Sequence, residues 1–395
     1  MTTRADLIIV GAGLAGSAAA WVASARGLDV VVLEAFGPGH RNGSSHGSAR
    51  IFRRAYPDPL YVRMAGIAGG LWRRLEDQAG ERLLTLTGGI DFGATRDPRR
   101  LHAVLTGCGV PAELLEPEAA AERWPYFDFD GVGPVMFHAD AGVLDPHNAM
   151  AATLRLAKAN GADVRFGTPV TRLEPTRAGD GAVAHTDSGA FTAPVIVVAA
   201  GSWIAPLLDG VVKLPPLRVT QQQVFHFAPV PGQAQVPGQA PVPGQEGAGP
   251  AEPWPVFIHD DGADYTFGLP GGRDGEVPGA IKVGEHAGFR TTTAADRDFI
   301  VDPAARARVT AFVGRRIPGL RATPVNEVTC LYTWTANEDF VLDRSGPFVV
   351  ASPCSGHGAK FAPLLGEIIA DLAAGKPAPD PRFTLAAHAV TRAQP

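Results

Sequence analysis

Gly11, Gly13 and Gly16 stand in G-x-G-x-x-G spacing, and Glu34 lies eighteen residues beyond the last of them. The three glycines serve different mechanical ends, namely a tight turn, close approach of backbone to a pyrophosphate, and close packing of helix on strand. The pyrophosphate would rest on unpaired N–H groups at the following helix N-terminus. Glu34 is placed to accept hydrogen bonds from a ribose 2′-hydroxyl. An acid there suits an unphosphorylated ribose, which leaves FAD and NAD both open. Further along, residues 37–56 (GPGHRNGSSHGSARIFRRAY) carry Arg50, Arg53 and Arg54 behind a glycine- and serine-rich half. They read either as a solvated basic loop or as a ligand loop at the carboxyl ends of parallel strands. Gly201, after the apolar run Phe191–Ala200, is a second place where backbone could approach a ligand.

The elements that must position these residues follow from periodicity. Leu7–Val10 and Val30–Leu33 are unbroken apolar runs, as in strands buried on both faces of a parallel sheet, with an alanine-rich helix between them. Helices are expected at 60–77, at Asn148–Asn160 behind Pro146, near 303–314, and from Ala359 to Gly375. Strands are expected at Leu83–Leu86, Ile90–Phe92, Asp163–Phe166, Val170–Leu173, Phe191–Ala200, 218–227, around Phe257–Ile258, Ala280–Glu285, Glu327–Trp334 and Phe348–Ala351. The sequence VPGQ begins at Val230, Val236 and Val242, and proline and glycine deny such a segment a packed core. Residues 229–255 therefore read as an expanded, disordered hairpin loop.

Composition excludes several classes. Hydrophobic residues make up 45% and charged residues 19%, with a net charge of −5 and a pI near 6.1, so nothing points to nucleic acid. No apolar run approaches about 18 residues, so no membrane span is expected. The first strand begins at Leu7, which leaves no room for a signal peptide. Cys108, Cys330 and Cys354 are too few and too scattered for a disulfide framework or a zinc cluster, and no metal site is expected. These features read as a soluble, cytoplasmic α/β protein.

Taken together, SSHGSARIFRRAY, VTCLYTW and CSGHGAK followed by a helix resemble the monomeric sarcosine oxidase and N-methyltryptophan oxidase family of FAD-dependent amine and amino-acid oxidases. The resemblance runs in order from the glycine motif to about Leu385, with only the VPGQ segment lacking a counterpart. It implies an α/β chain (α+β overall) with a Rossmann-like FAD-binding domain and a second, sheet-based substrate domain. The first would comprise residues 1–85, 140–213 and 325–385, and the second 86–139 and 214–324. It implies oxidation of a secondary amine, an N-methyl or cyclic α-amino acid, to an imine, with O₂ reduced to H₂O₂. Partners would be the small amine or amino acid and O₂, and the chain a monomer.

The resemblance also assigns residues. Cys330, within VTCLYTW, would carry FAD through an 8α-S-cysteinyl bond, with Cys354 lining the site unlinked. Lys282, within IKVGEH, would promote the reaction with oxygen, and His286 would face the substrate. Arg53 and Lys360 would hold a carboxylate, the arginine as a fork and the lysine as a point charge. Gly356, His357 and Gly358 would contact the flavin C2 carbonyl and N1, with Lys360 and Val170 also at the cofactor. His46 and Arg50 match residues on the opposite flavin face, and Tyr332 an active-site tyrosine. The sequence departs from the family at Ser45, Leu331 and Ala359, and around Tyr265–Leu269, which bears on the substrate. Two alternatives stay open: a dehydrogenase that passes electrons to a carrier, and an FAD-binding subunit of a larger complex.

Because the VPGQ repeats offer no core, deleting 232–250 and closing the gap with a short turn is expected to leave stability and turnover nearly unchanged. Thermal melts and steady-state rates of the shortened chain check this; a large loss of either would show that the segment packs.

Overall fold

A computed structural model describes residues 2–231, 253–286 and 290–390. Its centre is a six-stranded sheet in the order Asp163–Arg165, Val30–Leu33, Leu7–Val10, Val195–Val198, Phe348–Ser352, Val341–Ser345. All pairs are parallel except the last, which is antiparallel. Every residue of the four inner strands Val30–Leu33, Leu7–Val10, Val195–Val198 and Phe348–Ser352 is buried, which is why the first three read as unbroken apolar runs. Successive side chains point to opposite faces. Leu7 and Ile9 pack with Ala19, Ala23 and the helix Ala362–Ala373, whereas Ile8 and Val10 pack with Leu173, Ala184 and Phe191. The latter belong to a four-stranded sheet of Thr2–Arg4, Gly189–Ala193, Ala182–Thr186 and Val170–Pro175, so the layers are helix, parallel sheet and small sheet. Gly366 brings the helix Ala362–Ala373 close to Leu14–Ala25: a Cβ there would lie 2.7 Å from the Ala18 carbonyl oxygen.

The second large unit is a nine-stranded mixed sheet in which Arg218–Pro229 pairs with Ile281–Glu285 on one side and Leu320–Trp334 on the other. Lys282 thus lies on an inner strand, and Cys330, opposite Gln222, on its neighbour but one. Arg50–Phe52, Gly142–Leu144 and Leu84–Leu86 form a further, three-stranded sheet. The expected α/β organisation holds, and each helix named from the sequence is found within a few residues of its expected bounds. Among the described residues no helix is long and apolar enough to cross a membrane.

Four expectations need correction. Residues 37–56 are not all loop: Arg50–Phe52 is a strand paired with Gly142–Leu144. The run Phe191–Ala200 is two strands, because Pro194 between them lacks the ladder donor and the chain changes sheet there. The strand expected at Glu327 begins at Leu320, before Pro324, and register shifts in its pairing accommodate that proline. Finally, the segment 229–255 is anchored at both ends. Pro229 pairs with Leu320, and Trp254 is fully buried and stacked on Tyr126 with ring centroids 4.1 Å apart. The VPGQ repeats at Val236 and Val242 lie outside the described residues, as does all of 232–252.

Trp254 joins Tyr126, Phe127 and Phe257 in one aromatic core. Trp254→Ala is therefore expected to cost about 3–5 kcal/mol, measured by denaturant unfolding, unlike the excision of 232–250.

Candidate active site

The glycine motif forms as its spacing requires. Gly11 has φ +98°, and a Cβ on it would lie 2.6 Å from the Ala199 carbonyl oxygen. A Cβ on Gly16 would lie 1.9 Å from the Gly11 carbonyl oxygen, so the helix begins in contact with the turn. Glu34 ends the next strand, buried, and accepts from the Ala12 amide at 2.7 Å and the Phe36 amide at 3.0 Å. Burial pushes its carboxyl up, but His40 and the two amides outweigh this and hold it below the usual range. Gly11, Ala12 and Glu34 line a cavity of about 710 Å³ together with Gly13, Val170, Gly201, Cys354, Gly356 and Gly358, whereas Gly16 packs behind the turn. The narrow backbone cradle, the anchored acid and the apolar lining fit a dinucleotide.

A second cavity, of about 850 Å³, contains Arg53, Lys282, His286, Cys330 and Lys360. His46, Arg50, Tyr332 and Gly356 line both cavities, so the two meet there. Residues of the stretch 41–50 line this junction, which is where the ligand-loop reading would put them. The polar groups of this stretch are fastened rather than solvated: Ser44 Oγ donates to the Leu331 carbonyl (2.5 Å), and Ser45 Oγ accepts from the Leu14 amide (3.2 Å). Ser48 Oγ accepts from the Arg273 and Asp274 amides. Arg297, itself buried, donates to the carbonyls of Arg41, Asn42 and Thr329.

The cations are the unusual feature. Lys360 Nζ is buried and donates to Tyr56 Oη (2.8 Å) and the His357 carbonyl (2.7 Å). Burial, then Arg53, pushes its pKa well below the ordinary value. Arg53 lies over the Tyr56 ring at 4.5 Å, and its buried Nη1 has no hydrogen-bond partner among the described residues. Lys282 Nζ donates to the Ala49 carbonyl (3.2 Å), and burial, then Arg50, lowers it to about 7 against the pull of Asp274 and Cys330. Among the described residues Arg50 donates to the backbone carbonyls of Ser44, His46 and Ala49 and makes a 3.9 Å contact with Cys330 Sγ.

His46 and His286 are held below the usual imidazole range. Burial, then Arg50 and Lys282, takes His46 to about 2; burial, then Arg53, Arg96 and Lys360, takes His286 to about 4. His286 packs against Tyr265 and Trp334, with Tyr332 further off. Burial, then Cys330, raises the Tyr332 hydroxyl. The His357 side chain does not join Gly356 and Gly358 in the dinucleotide cavity. It turns into the second one, where Nδ1 meets Tyr56 Oη (3.2 Å) and Nε2 meets the Glu338 carbonyl (3.0 Å). The thiols separate likewise. Cys330 Sγ lies 3.6 Å from the Ser44 carbonyl oxygen at the second cavity, whereas Cys354 Sγ accepts from the Thr333 amide and lines the first. Cys108 caps the distant helix Pro98–Gly107. Among the described residues no cluster suits a metal ion.

Sequence reasoning gave no role to Tyr56, although it closes the quoted stretch SSHGSARIFRRAY, nor to Arg96 and Asp91, which no motif marks. All three lie in or beside the second cavity.

A dinucleotide cradle opening onto a cationic, aromatic chamber defines a flavin-type oxidoreductase. The family described as FAD dependent oxidoreductase matches residues 6–372, and the chain belongs to it. It is 34% identical over 384 residues to a monomeric sarcosine oxidase of Streptomyces avermitilis, covering 94% of each chain. It is 31% identical over 385 residues to an N-methyl-L-tryptophan oxidase of Yersinia pestis, covering 95% of this chain and 96% of the other. Its fold superposes with a TM-score of 0.82 at 25% identity on NikD, described as an unusual amino acid oxidase, covering 97% of each chain.

Proposed function

We propose that this FAD enzyme oxidises a secondary amine, an N-methyl or cyclic α-amino acid, to an imine and reduces O₂ to H₂O₂. The observation that carries the reading is the Arg53–Lys360 pair, which has no carboxylate of its own among the described residues and lines the chamber next to the dinucleotide cavity. Such a pair is an anion receptor waiting for a carboxylate. FAD held by Gly11, Gly13 and Glu34 in the first cavity would supply an acceptor for the hydride from the carbon next to nitrogen and a donor of electrons to O₂.

The chain's own groups do the rest in this reading. Arg53 and Lys360 hold the carboxylate; His286, Tyr265 and Tyr332 wall the amine. Buried like charges disfavour an ammonium, so the amine binds neutral and its lone pair is free to assist loss of hydride. Lys282, with Arg50 near the cavity junction, supplies positive charge where O₂ takes on electrons, beside the neutral His46. Cys330 forms the 8α-S-cysteinyl link; its place beside Arg50 and the Ser44 carbonyl supports that choice over Cys354.

The proposal includes the two-domain division at 85/86, 139/140, 213/214 and 324/325, a monomer and a cytoplasmic location. The six strands of the central sheet all fall within 1–85, 140–213 and 325–385, in support of the first domain. The strand Leu320–Trp334 crosses the 324/325 boundary and joins the two.

Two expected outcomes follow. Acid-precipitated protein stays yellow at the mass of chain plus FAD, and Cys330→Ala, unlike Cys354→Ala, releases its flavin; a yellow Cys330→Ala precipitate overturns the link. The half-reactions also separate under stopped flow. Arg53→Ala slows anaerobic flavin reduction by an amine about ten- to hundredfold, the loss of one charge-assisted hydrogen bond. Lys282→Met instead slows reoxidation, and the wild-type reoxidation rate falls as pH rises through about 7, where Lys282 loses its proton. Equal slowing of both half-reactions in both variants, or reoxidation independent of pH, would refute this division of roles.

A further inference from the structure

The second cavity holds one cation more than a simple amino acid needs. Arg96 lines it, and its guanidinium pairs with the fully buried Asp91 at 2.6 Å and donates from Nη2 to the Ala55 carbonyl. Its Nη1 makes no hydrogen bond to any described residue, so one donor edge is free. Arg96 lies at the carboxylate-binding end. The Ala55 carbonyl that it holds adjoins Tyr56, whose hydroxyl accepts from Lys360 and whose ring lies under Arg53. Lys282 is held elsewhere, by the Ala49 carbonyl next to Arg50.

At the inner end, Arg53, Arg96 and Lys360 line the cavity with the buried Asp91 carboxylate; burial and Arg53 oppose the charge on Lys360, a bound carboxylate favours it, and the occupied site then carries an excess of two positive charges. His138 and His286 add nothing at neutral pH, since burial takes each to about 4. Nearer the rim, Asp58 and Asp339 are held by Arg382, and burial, then Asp339, pushes the Glu338 carboxyl up. A substrate with one carboxylate and a neutral amine leaves one buried charge unbalanced, which is expensive in a desolvated site. A substrate with two carboxylates and a neutral amine balances both.

We infer that the preferred substrate is a dicarboxylic secondary amine, its first carboxylate on Arg53 and Lys360 and its second on the free edge of Arg96. Asp91 is the positioning residue: by holding one side of the guanidinium it aims the other at the cavity. The inference rests on the amine-oxidase reading and narrows its substrate class.

The test measures anaerobic flavin reduction by the holoenzyme. N-methylaspartate and N-methylglutamate carry the second carboxylate on the side chain, iminodiacetate carries it on the N-substituent, and N-methylnorvaline lacks it. At least one diacid is expected to exceed the monoacid in efficiency by about tenfold or more, and which one identifies the arm that Arg96 reads. Arg96→Gln alone leaves Asp91 buried without its partner, so the neutral pair Asp91→Asn with Arg96→Gln is the companion variant. The double variant is expected to lose about ten- to hundredfold on the diacid and much less on the monoacid, collapsing the preference. A monoacid handled as well as every diacid by the wild type overturns the inference. So does an equal loss on both, which would place Arg96 on the α-carboxylate. Should no amine reduce the flavin, the amine-oxidase reading fails by itself. Titration of the flavin spectrum with glutarate and butyrate then decides: a dianion preference abolished in the double variant sustains the role of Arg96, and equal binding ends it.

Discussion

The rest of the site depends on one costly interaction, the burial of Lys360 without a carboxylate. Its ammonium is shared between a phenol oxygen and a backbone carbonyl, both neutral, with Arg53 nearby. A charge in such a place loses its hydration and recovers only part of it from dipoles. It persists because the surroundings are rigid. Tyr56 is held between Lys360 and His357, and His357 is held in turn by the Glu338 carbonyl. Tyr61, Phe340 and Phe361 pack around them. The unfavourable term is carried by the apolar core that the parallel sheet and the helix Ala362–Ala373 build behind it. An incoming anion can therefore gain more than it would at the surface.

A second constraint is where the two large sheets are joined. The stretch 41–50 has little regular structure, yet it touches the N-terminal helix through Ser45, the Cys330 strand through Ser44, and the segment 272–275 through Ser48. Small polar residues suit such a junction, because each hydroxyl can accept from or donate to backbone that no ladder satisfies. At Gly47, with φ +90°, a Cβ would lie 2.7 Å from the Asp274 carboxylate, so only glycine fits there without displacing that side chain. The loop is best regarded as a seam, and the groups shared by both cavities lie on it or facing it.

What the sequence made legible was mostly local. The turn at Gly11, the contact of Gly16 and the end of the strand at Glu34 each follow from spacing along one βαβ unit. Lys282 and Cys330 could be singled out only through the resemblance, since a lysine or cysteine in a strand has no signature of its own. Three other features were hidden for physical reasons. Arg50–Phe52 is too short for alternation to register, and its partner strand lies about ninety residues away. Trp254 stands at the edge of a proline- and glycine-rich segment whose composition masks a core residue. The Asp91–Arg96 pair is close in sequence, but its burial depends on Ala55 and on the sheet beneath it. Charge in isolation gives no hint of that.

Under the proposed function, the same cationic field would let carboxylate binding and amine chemistry share one chamber. A zwitterionic amino acid presents opposite charges to Arg53, Lys360 and Arg96, which draw the carboxylate in and resist the ammonium. No separate base is required to bias the nitrogen toward its neutral form, provided that the proton can leave as the substrate settles. The histidines agree with this, because His286 and His357 are themselves held neutral by burial and by the same cations. A site that keeps imidazoles unprotonated disfavours a protonated amine for the same electrostatic reason. In that reading, binding the acid group and deprotonating the amine would be two consequences of one charge distribution.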